Sequence, residues 1–327
     1  MADSQGSSLK SSSFFIMMPY PTYLRLQLLK FDFIEKAYFY PSVIDIEKDI
    51  KTIHDIHLRL EGLLTAAILD ADDKGCCDYL EATYLREVWV AESPTSLTTY
   101  ETEEISLSVV EGHSCPNGVP ERSWLKLQNL KAAMDHLRGN LSTRVTNPVD
   151  ISLAFVKCVH KIVGNDLIPS AGEFRQNHVG AAGTGVTYLA PSSISPRLAL
   201  LMKFINDEVA SYMLEKDGFS KLKKMLRLAS MFFSEFLKIH PFINGNGRVA
   251  RLLVNFLLSR VSVVPISIFL DDSYLSNEKK SFRETYLDLV GQAQWHDNQG
   301  GLTTIFLLSA KRTAMKAEYL MLSDTDE

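Results

Sequence analysis

The stretch His240-Pro241-Phe242-Ile243-Asn244-Gly245-Asn246-Gly247-Arg248-Val249-Ala250-Arg251 decides how this chain is interpreted. A long apolar run with helical spacing ends just before it, near Ile239, and a second such run follows it. Asn and Gly alternate between the two runs, which is typical of a tight turn. The sequence therefore predicts two helices joined by a short turn.

This turn has the composition of an anion-binding site. Glycines let backbone N–H groups approach an anion closely, and a helix N-terminus adds the positive end of its dipole. Arg248 and Arg251 are three residues apart, so they share one face of the second helix. His240 precedes the turn and can act as a general base near neutral pH. Together these residues predict a site for a polyphosphate group.

The same string resembles the signature HPFx[D/E]GNGRxxR of the Fic family (filamentation induced by cAMP). The positions that agree are His240, Pro241, Phe242, Gly245, Asn246, Gly247, Arg248 and Arg251. The one departure is Asn244, where the family usually has Asp or Glu. The resemblance implies a predominantly α fold, a Fic-type helical bundle with a small β-hairpin flap. It also implies a protein adenylyltransferase, which moves AMP from ATP to a Ser, Thr or Tyr hydroxyl of a target protein.

The resemblance assigns a role to each matching position. His240 would remove the proton from the target hydroxyl, and Phe242 would anchor the loop in the core. The ATP-binding residues would be Gly245, Asn246, Gly247, Arg248 and Arg251. ATP is thus the implied substrate and Mg²⁺ the implied cofactor, with Asn244 at the metal position. Because an amide oxygen is a weaker Mg²⁺ ligand than a carboxylate, we expect weaker metal affinity or slower turnover.

A flap is expected upstream of the motif. Gly172-Glu173-Phe174-Arg175 resembles its first residues, and the Gly-rich segment continues to Tyr188. In the family this hairpin holds a target segment by strand addition. The resemblance makes Arg175, Val179 and Gly183 the candidate target-binding residues.

An inhibitory glutamate is the second feature that the family implies. Its pattern is [S/T]xxxE[G/N], and its Glu pairs with the second arginine of the motif. Glu92 is the best candidate for a pair with Arg251, although Val88 and Ser93 depart from the pattern. Glu111 is a rival, since Gly112 follows it.

Composition limits the remaining choices. The chain has 327 residues, with 34 Lys+Arg against 39 Asp+Glu and a net charge of −5. This charge argues against a protein that binds nucleic acid or an anionic membrane through its overall charge. No signal peptide or apolar membrane-spanning run is visible, so an intracellular, cytoplasmic protein is expected. The predicted partner is a target protein with an acceptor hydroxyl, and a homodimer is left open.

The predicted organisation has three parts: a disordered tail at 1–13, an N-terminal helical extension at 14–85, and a Fic domain at 86–320 with its core motif at 240–251. Within the domain, Asp150 is predicted to cap one helix and Ser195–Pro196 to start another. Gly139 is predicted to end the apolar stripe that begins at Trp124.

Two alternatives to AMP transfer remain open on the sequence alone. A Fic-fold enzyme can instead remove AMP, or transfer another nucleotide or phosphate-containing group. The Asn244 departure also leaves room for a catalytically weak Fic-fold binding module.

Overall fold

The computed structural model describes residues 19–67, 74–92, 97–142, 150–180, 187–271, 275 and 281–323. In these ranges the protein is α-helical, as the sequence predicts, with eleven helices. In chain order they are α1 (Tyr20–Lys30), α2 (Ile46–Ala67), α3 (Lys74–Glu92), α4 (Thr99–Val110), α5 (Glu121–Ser142), α6 (Leu153–Val163), α7 (Pro191–Met213), α8 (Gly218–Ile239), α9 (Asn246–Leu258), α10 (Phe282–Trp295) and α11 (Gly300–Ser323).

Helices α8 and α9 form the centre of the bundle. They pack against each other, and α9 is also covered by α3, α5 and α6. From Leu228 to Leu237 every residue of α8 is buried. The quoted motif joins these two helices, so its turn is held by the best-packed part of the protein.

The N-terminal helices belong to the same hydrophobic core. Helix α1 packs on α7 and α8, and α2 lies along α11 and contacts α8. Helix α3 runs without a break through residues 85 and 86, where the sequence placed the start of the Fic domain. The three-part division remains a prediction, and its disordered tail at 1–13 lies outside the described residues.

Three predicted helix boundaries are wrong for local reasons. Ser152, not Asp150, caps α6, because its side chain accepts the Phe155 N–H at 3.1 Å. Helix α7 begins at Pro191, which offers the same preset φ as Pro196 but earlier in the chain. Gly139 does not end α5, which continues to Ser142.

The predicted hairpin is reduced to one antiparallel bridge between Gly180 and Thr187. Beside it, the Tyr188 N–H donates to the Val179 carbonyl at 3.0 Å. The connecting residues, 181–186, lie outside the described part of the chain. None of the helices in the described ranges combines the length and apolar character needed to span a membrane.

Candidate functional site

His240 ends α8 in an unusual backbone conformation. Its φ of 51° and ψ of 62° are left-handed, a region that non-glycine residues rarely adopt. Its N–H still bonds to the Phe236 carbonyl at 3.0 Å, so the helix ends abruptly at this residue. Such a turn directs the imidazole away from the helix axis and into the cleft that it lines.

The loop after His240 is closed by the side chain of Asn246. Asn246 Oδ1 accepts the Phe242 N–H at 3.0 Å, and Nδ2 donates to the Phe242 carbonyl at 2.8 Å. Phe242 is fully buried, in the anchoring position that the sequence predicts. The Asn246 side chain is therefore engaged by the loop, and only its backbone N–H can meet an anion.

Helix α9 begins with an open set of backbone donors. Gly245 is its N-cap, at φ 80°, and the first helical bond runs from the Val249 N–H to the Gly245 carbonyl at 3.0 Å. The N–H groups of Asn246, Gly247 and Arg248 precede that bond. They form a helix end suited to binding an anion, in the turn where the sequence predicts an anion-binding site.

The imidazole of His240 is a neutral base. Its Nδ1 lies 3.3 Å from the Leu237 carbonyl, which fixes the proton on Nδ1 and leaves a lone pair on Nε2. Burial lowers the pKa of His240 to about 4. The ring of Tyr188 stacks on the imidazole, with centroids 4.0 Å apart. Sequence reasoning used Tyr188 only to mark the end of the flap.

The predicted pair of Glu92 and Arg251 is formed. Arg251 Nε donates to Glu92 Oε1 at 2.9 Å, and the Tyr286 hydroxyl donates to the same oxygen at 3.2 Å. Arg251 is only 1% exposed, and its guanidinium lies over the Tyr286 ring. Its Nη1 donates to the Ile268 carbonyl. The pair therefore joins the end of α3 to α9 and α10.

Glu92 also covers the anion-binding helix end. A Cβ at Gly247 would overlap the carboxylate oxygens of Glu92, so only glycine permits this approach. The rival Glu111 lies elsewhere, on the surface, paired with His113 at 3.2 Å. Among the candidate glutamates, Glu92 alone lines the cleft in front of α9.

The cleft has a volume of about 390 Å³ and is strongly basic. Within the described ranges, the cations that line it are Arg122, Lys126, Arg248 and Arg283. Sequence reasoning missed Arg122 and Lys126, which are one turn apart on α5. The only signal for them was their i, i+4 spacing beside the apolar stripe that starts at Trp124.

Arg175, a predicted target-binding residue, is engaged within this chain, and its role toward a target remains a prediction. Its guanidinium is 4% exposed and donates to backbone carbonyls of this chain, those of His240, Asn177, Leu189 and Ile239. Arg175 thus ties the start of the flap to the end of α8. Val179 is half-buried, with its carbonyl in the bridge to Tyr188. Gly183 lies outside the described residues.

His160 supports the motif loop from α6. Its Nδ1 accepts the Gly172 N–H at 2.9 Å, so the proton lies on Nε2, which donates to the Asn244 carbonyl at 3.0 Å. Its ring stacks on Phe242, with centroids 3.6 Å apart. Nothing in the position of His160 along the sequence points to the motif.

The donor set around Asn244 does not fit a resident Mg²⁺ ion. Mg²⁺ favours one or two carboxylates, but among the described residues that line the cleft Glu92 is the one acid, and it is paired with Arg251. The Asn244 Oδ1 accepts the Gly245 N–H at 2.7 Å. The described residues contain no group of three or more His, Cys, Asp or Glu that could hold a metal ion.

The site thus combines a neutral histidine with a basic, glycine-lined helix end on a helical fold. Residues 150–258 match the model of the Fic/DOC family, so this part of the chain is similar to a Fic domain. This match includes His240 and Arg251 but not Glu92, which lies before it.

Similar proteins carry related names. Protein adenylyltransferase fic-1 of Caenorhabditis briggsae is 26% identical over 231 residues, 69% of this chain and 40% of the relative. Protein adenylyltransferase Fic of Drosophila melanogaster is 27% identical over 166 residues, 49% of this chain and 30% of the relative. The chain thus spans less than half the length of these curated relatives. A solved Fic-1 structure from C. elegans has a TM-score of 0.61 and 16% identity, covers 97% of this chain and 80% of its own, and supports the fold.

Proposed function

We propose that this protein transfers AMP from ATP to a Ser, Thr or Tyr hydroxyl of a target protein. One observation carries the proposal: a neutral imidazole with a free Nε2 lies beside an anion-binding helix end that an internal carboxylate covers. The Glu92 carboxylate occupies the place that a phosphate would take. Both groups are anions that accept hydrogen bonds from backbone N–H groups.

The proposed step is an in-line attack. Nε2 of His240 accepts the proton of the target hydroxyl, whose oxygen bonds to the α-phosphorus of ATP. The bond from that phosphorus to its leaving oxygen breaks, and pyrophosphate departs. Since the low pKa of His240 keeps the ring neutral at physiological pH, the base is ready without a prior proton loss.

The remaining motif residues would bind the phosphates. The backbone of Gly245, Asn246 and Gly247 would hold the α- and β-phosphates, and Arg248 and Arg251 the β- and γ-phosphates. Fixed donors of this kind lower the barrier by positioning and by stabilising the charge that develops. No step is assigned to Mg²⁺, because the donor set around Asn244 does not fit it.

Glu92 would act as an inhibitor of this reaction. It neutralises Arg251, which would bind the β- and γ-phosphates, and it lies against Gly247, which would bind the α- and β-phosphates. ATP would therefore bind productively only when the carboxylate moves away.

The partner in this proposal is a protein segment that presents its hydroxyl near His240, beside the bridge of Val179 and Tyr188. Two further expectations remain predictions: that the protein binds neither nucleic acid nor a membrane, and that it is intracellular. Whether it forms a homodimer stays open.

Labelled ATP tests the function. The full chain is incubated in a cell lysate with ATP labelled at the α-phosphate, beside an incubation with γ-labelled ATP. Label on protein from the α-phosphate alone, lost in His240→Ala and kept in the control His113→Ala, supports AMP transfer. His113 is an exposed residue outside the cleft, so its replacement leaves the cleft and the flap intact. Absence of α-label with the wild type and with Glu92→Gly contradicts the proposal.

AMP removal is the second candidate, favoured by the carboxylate of Glu92 in the same cleft as His240. Such a carboxylate can orient a water for attack on an AMP–protein bond. A purified, AMP-labelled target separates the two reactions: release of label that depends on Glu92 supports removal, and stable label contradicts it.

A further inference from the structure

Two neighbouring helices bring an exposed thiol against an imidazole. Cys158 lies on α6 and is exposed, and its Sγ is 3.6 Å from Nε2 of His136 on α5. Helices α5 and α6 pack against each other, so the contact is held by the bundle and not by a loop. The ring of Phe155, also on α6, lies beside the same imidazole with its centroid 6.2 Å away.

The side chain of Asn140 decides which nitrogen of His136 carries the ring proton. Its Nδ2 donates to the His136 carbonyl, one turn earlier on α5, at 2.7 Å, and this bond fixes the orientation of the amide. The same Nδ2 lies 3.4 Å from Nε2 of the imidazole, and an amide N–H can only donate. In the neutral ring Nε2 is therefore the acceptor, the proton is on Nδ1, and the thiol of Cys158 donates to Nε2.

This arrangement gives the thiol a base in direct contact with its proton. A thiol attacks as its thiolate, and an adjacent histidine can take the proton during the attack. Because Cys158 is exposed, a small reagent can reach its sulfur without any opening of the hydrophobic core.

Cys115 provides the internal comparison. It is exposed as well, but its Sγ donates to the backbone carbonyls of Pro116 at 3.7 Å and Val119 at 3.9 Å. A carbonyl oxygen accepts a hydrogen bond but does not take up the proton near neutral pH. The two exposed thiols therefore differ in the chemistry of the group that they face.

We propose that Cys158 is a site of thiol–disulfide exchange, which takes low-molecular-weight disulfides such as oxidised glutathione, with His136 as its base. Nε2 accepts the thiol proton, Sγ bonds to one sulfur of the disulfide, and the bond between the two disulfide sulfurs breaks. The departing thiolate takes the proton from Nε2. The sulfur of Cys158 is thus oxidised to a mixed disulfide, the released thiol is the reduced product, and the imidazole is neutral again.

Two rates measured in one sample test this proposal. The full chain is incubated with oxidised glutathione at about pH 7, where an unassisted thiol is almost entirely protonated. The reaction is stopped with acid, and peptide mass spectrometry follows the adducts at Cys158 and Cys115. We expect Cys158 to react about tenfold faster, because a thiol without a base is only a few per cent thiolate at this pH.

A variant on α5 assigns the effect to the imidazole. His136→Gln keeps a polar side chain that cannot take up a proton, so it should slow the reaction of Cys158 by about tenfold and leave that of Cys115 unchanged. His296→Gln is the matched control, an exposed histidine at the end of α10, and should change neither rate. Circular dichroism verifies that each variant is folded.

A reaction of Cys158 no faster than that of Cys115 in the wild type overturns the proposal, and this comparison needs no variant. An unchanged rate at Cys158 in folded His136→Gln overturns it as well. Neither readout involves nucleotide or AMP labelling, so this proposal and the proposed function fail separately.

Discussion

At the scale of single residues, the carboxylate of Glu92 balances the charge of the buried Arg251 side chain. It is almost fully buried, and beyond Glu92 it has the Ile268 carbonyl and the ring of Tyr286 as neighbours. Removing one partner of a buried pair leaves an uncompensated charge, which costs more than the pair itself contributes.

Glu92→Gly should therefore have two opposite effects. Without nucleotide, the free energy of unfolding should fall by about 3 kcal/mol, the lower end for a broken buried pair because Glu92 is partly exposed. ATP should restore much of this loss, since its terminal phosphate replaces the carboxylate. AMP transfer and ATP affinity should rise. Urea denaturation with and without ATP measures the first effect, and labelling the second.

The matched control for this change is Glu111→Gly, which removes the exposed rival glutamate. It should leave both readouts near the wild type. Unchanged ATP affinity and AMP transfer in Glu92→Gly would mean that Glu92 does not inhibit.

The low pKa of His240 predicts how the rate of AMP transfer depends on pH. Burial lowers its pKa to about 4, so the neutral, active form predominates above that value and is lost as the pH falls through it. The rate of AMP transfer should show no acid limb from His240 between about pH 5.5 and 8. Initial rates of labelling across this range measure it. A limb centred near 6.5, the ordinary value for histidine, would contradict the burial argument.

At the scale of elements, the predictable parts are those whose cause is local. The turn between α8 and α9 follows from Asn and Gly alternation, and the capping box of Thr98 and Glu101 marks the start of α4. The start of α7 was mistaken because Pro191 and Pro196 give the same local signal.

What could not be predicted depends on contacts between distant segments. Arg175 reads as a surface flap residue, and only the fold shows it buried among the carbonyls at the end of α8. Arg122 and Lys126 face the cleft because α5 packs on α9, a relation that no spacing in the sequence contains.

A residue of helix α6 allows a test of a contact between distant segments. His160→Phe keeps the ring stack on Phe242 but leaves the Gly172 N–H and the Asn244 carbonyl without their hydrogen-bond partner. Each buried orphan should cost about 1–3 kcal/mol of unfolding free energy. The looser turn should also raise the KM for ATP.

Urea denaturation and initial rates measure these effects, with His178→Phe as the control on the exposed flap. Equal stability and KM in His160→Phe and the wild type would show that the motif loop needs no support from α6.

At the scale of the molecule, α1 is attached to the central helix by a buried carboxylate. The hydroxyls of Tyr20 and Tyr23 donate to the two oxygens of Glu235 at 3.0 and 3.1 Å. Arg197 lies over the Tyr20 ring, 3.8 Å from its centroid. Glu235 is one turn before the end of α8, so α1 reaches close to the site without lining it.

Replacing both tyrosines with phenylalanine should therefore destabilise the whole protein. Glu235 would keep its burial but lose two donors, at a cost of about 1–3 kcal/mol each. Thermal and urea unfolding measure this loss. Tyr100→Phe, at an exposed site on α4, is the control and should change neither. Stability equal to the wild type in the double variant would contradict the proposed attachment of α1.

The packing of α2 along α11 has a consequence for biosynthesis. Helix α2 leaves the ribosome early, yet the surface that it covers is translated near the end of the chain. The contacts of Arg251 with Ile268 and Tyr286 likewise form only after those two residues have been translated. Contacts between distant segments form slowly, and their apolar faces stay exposed meanwhile. The nascent chain should therefore depend on chaperones until α10 and α11 have been translated, and its site should be complete only from that point on.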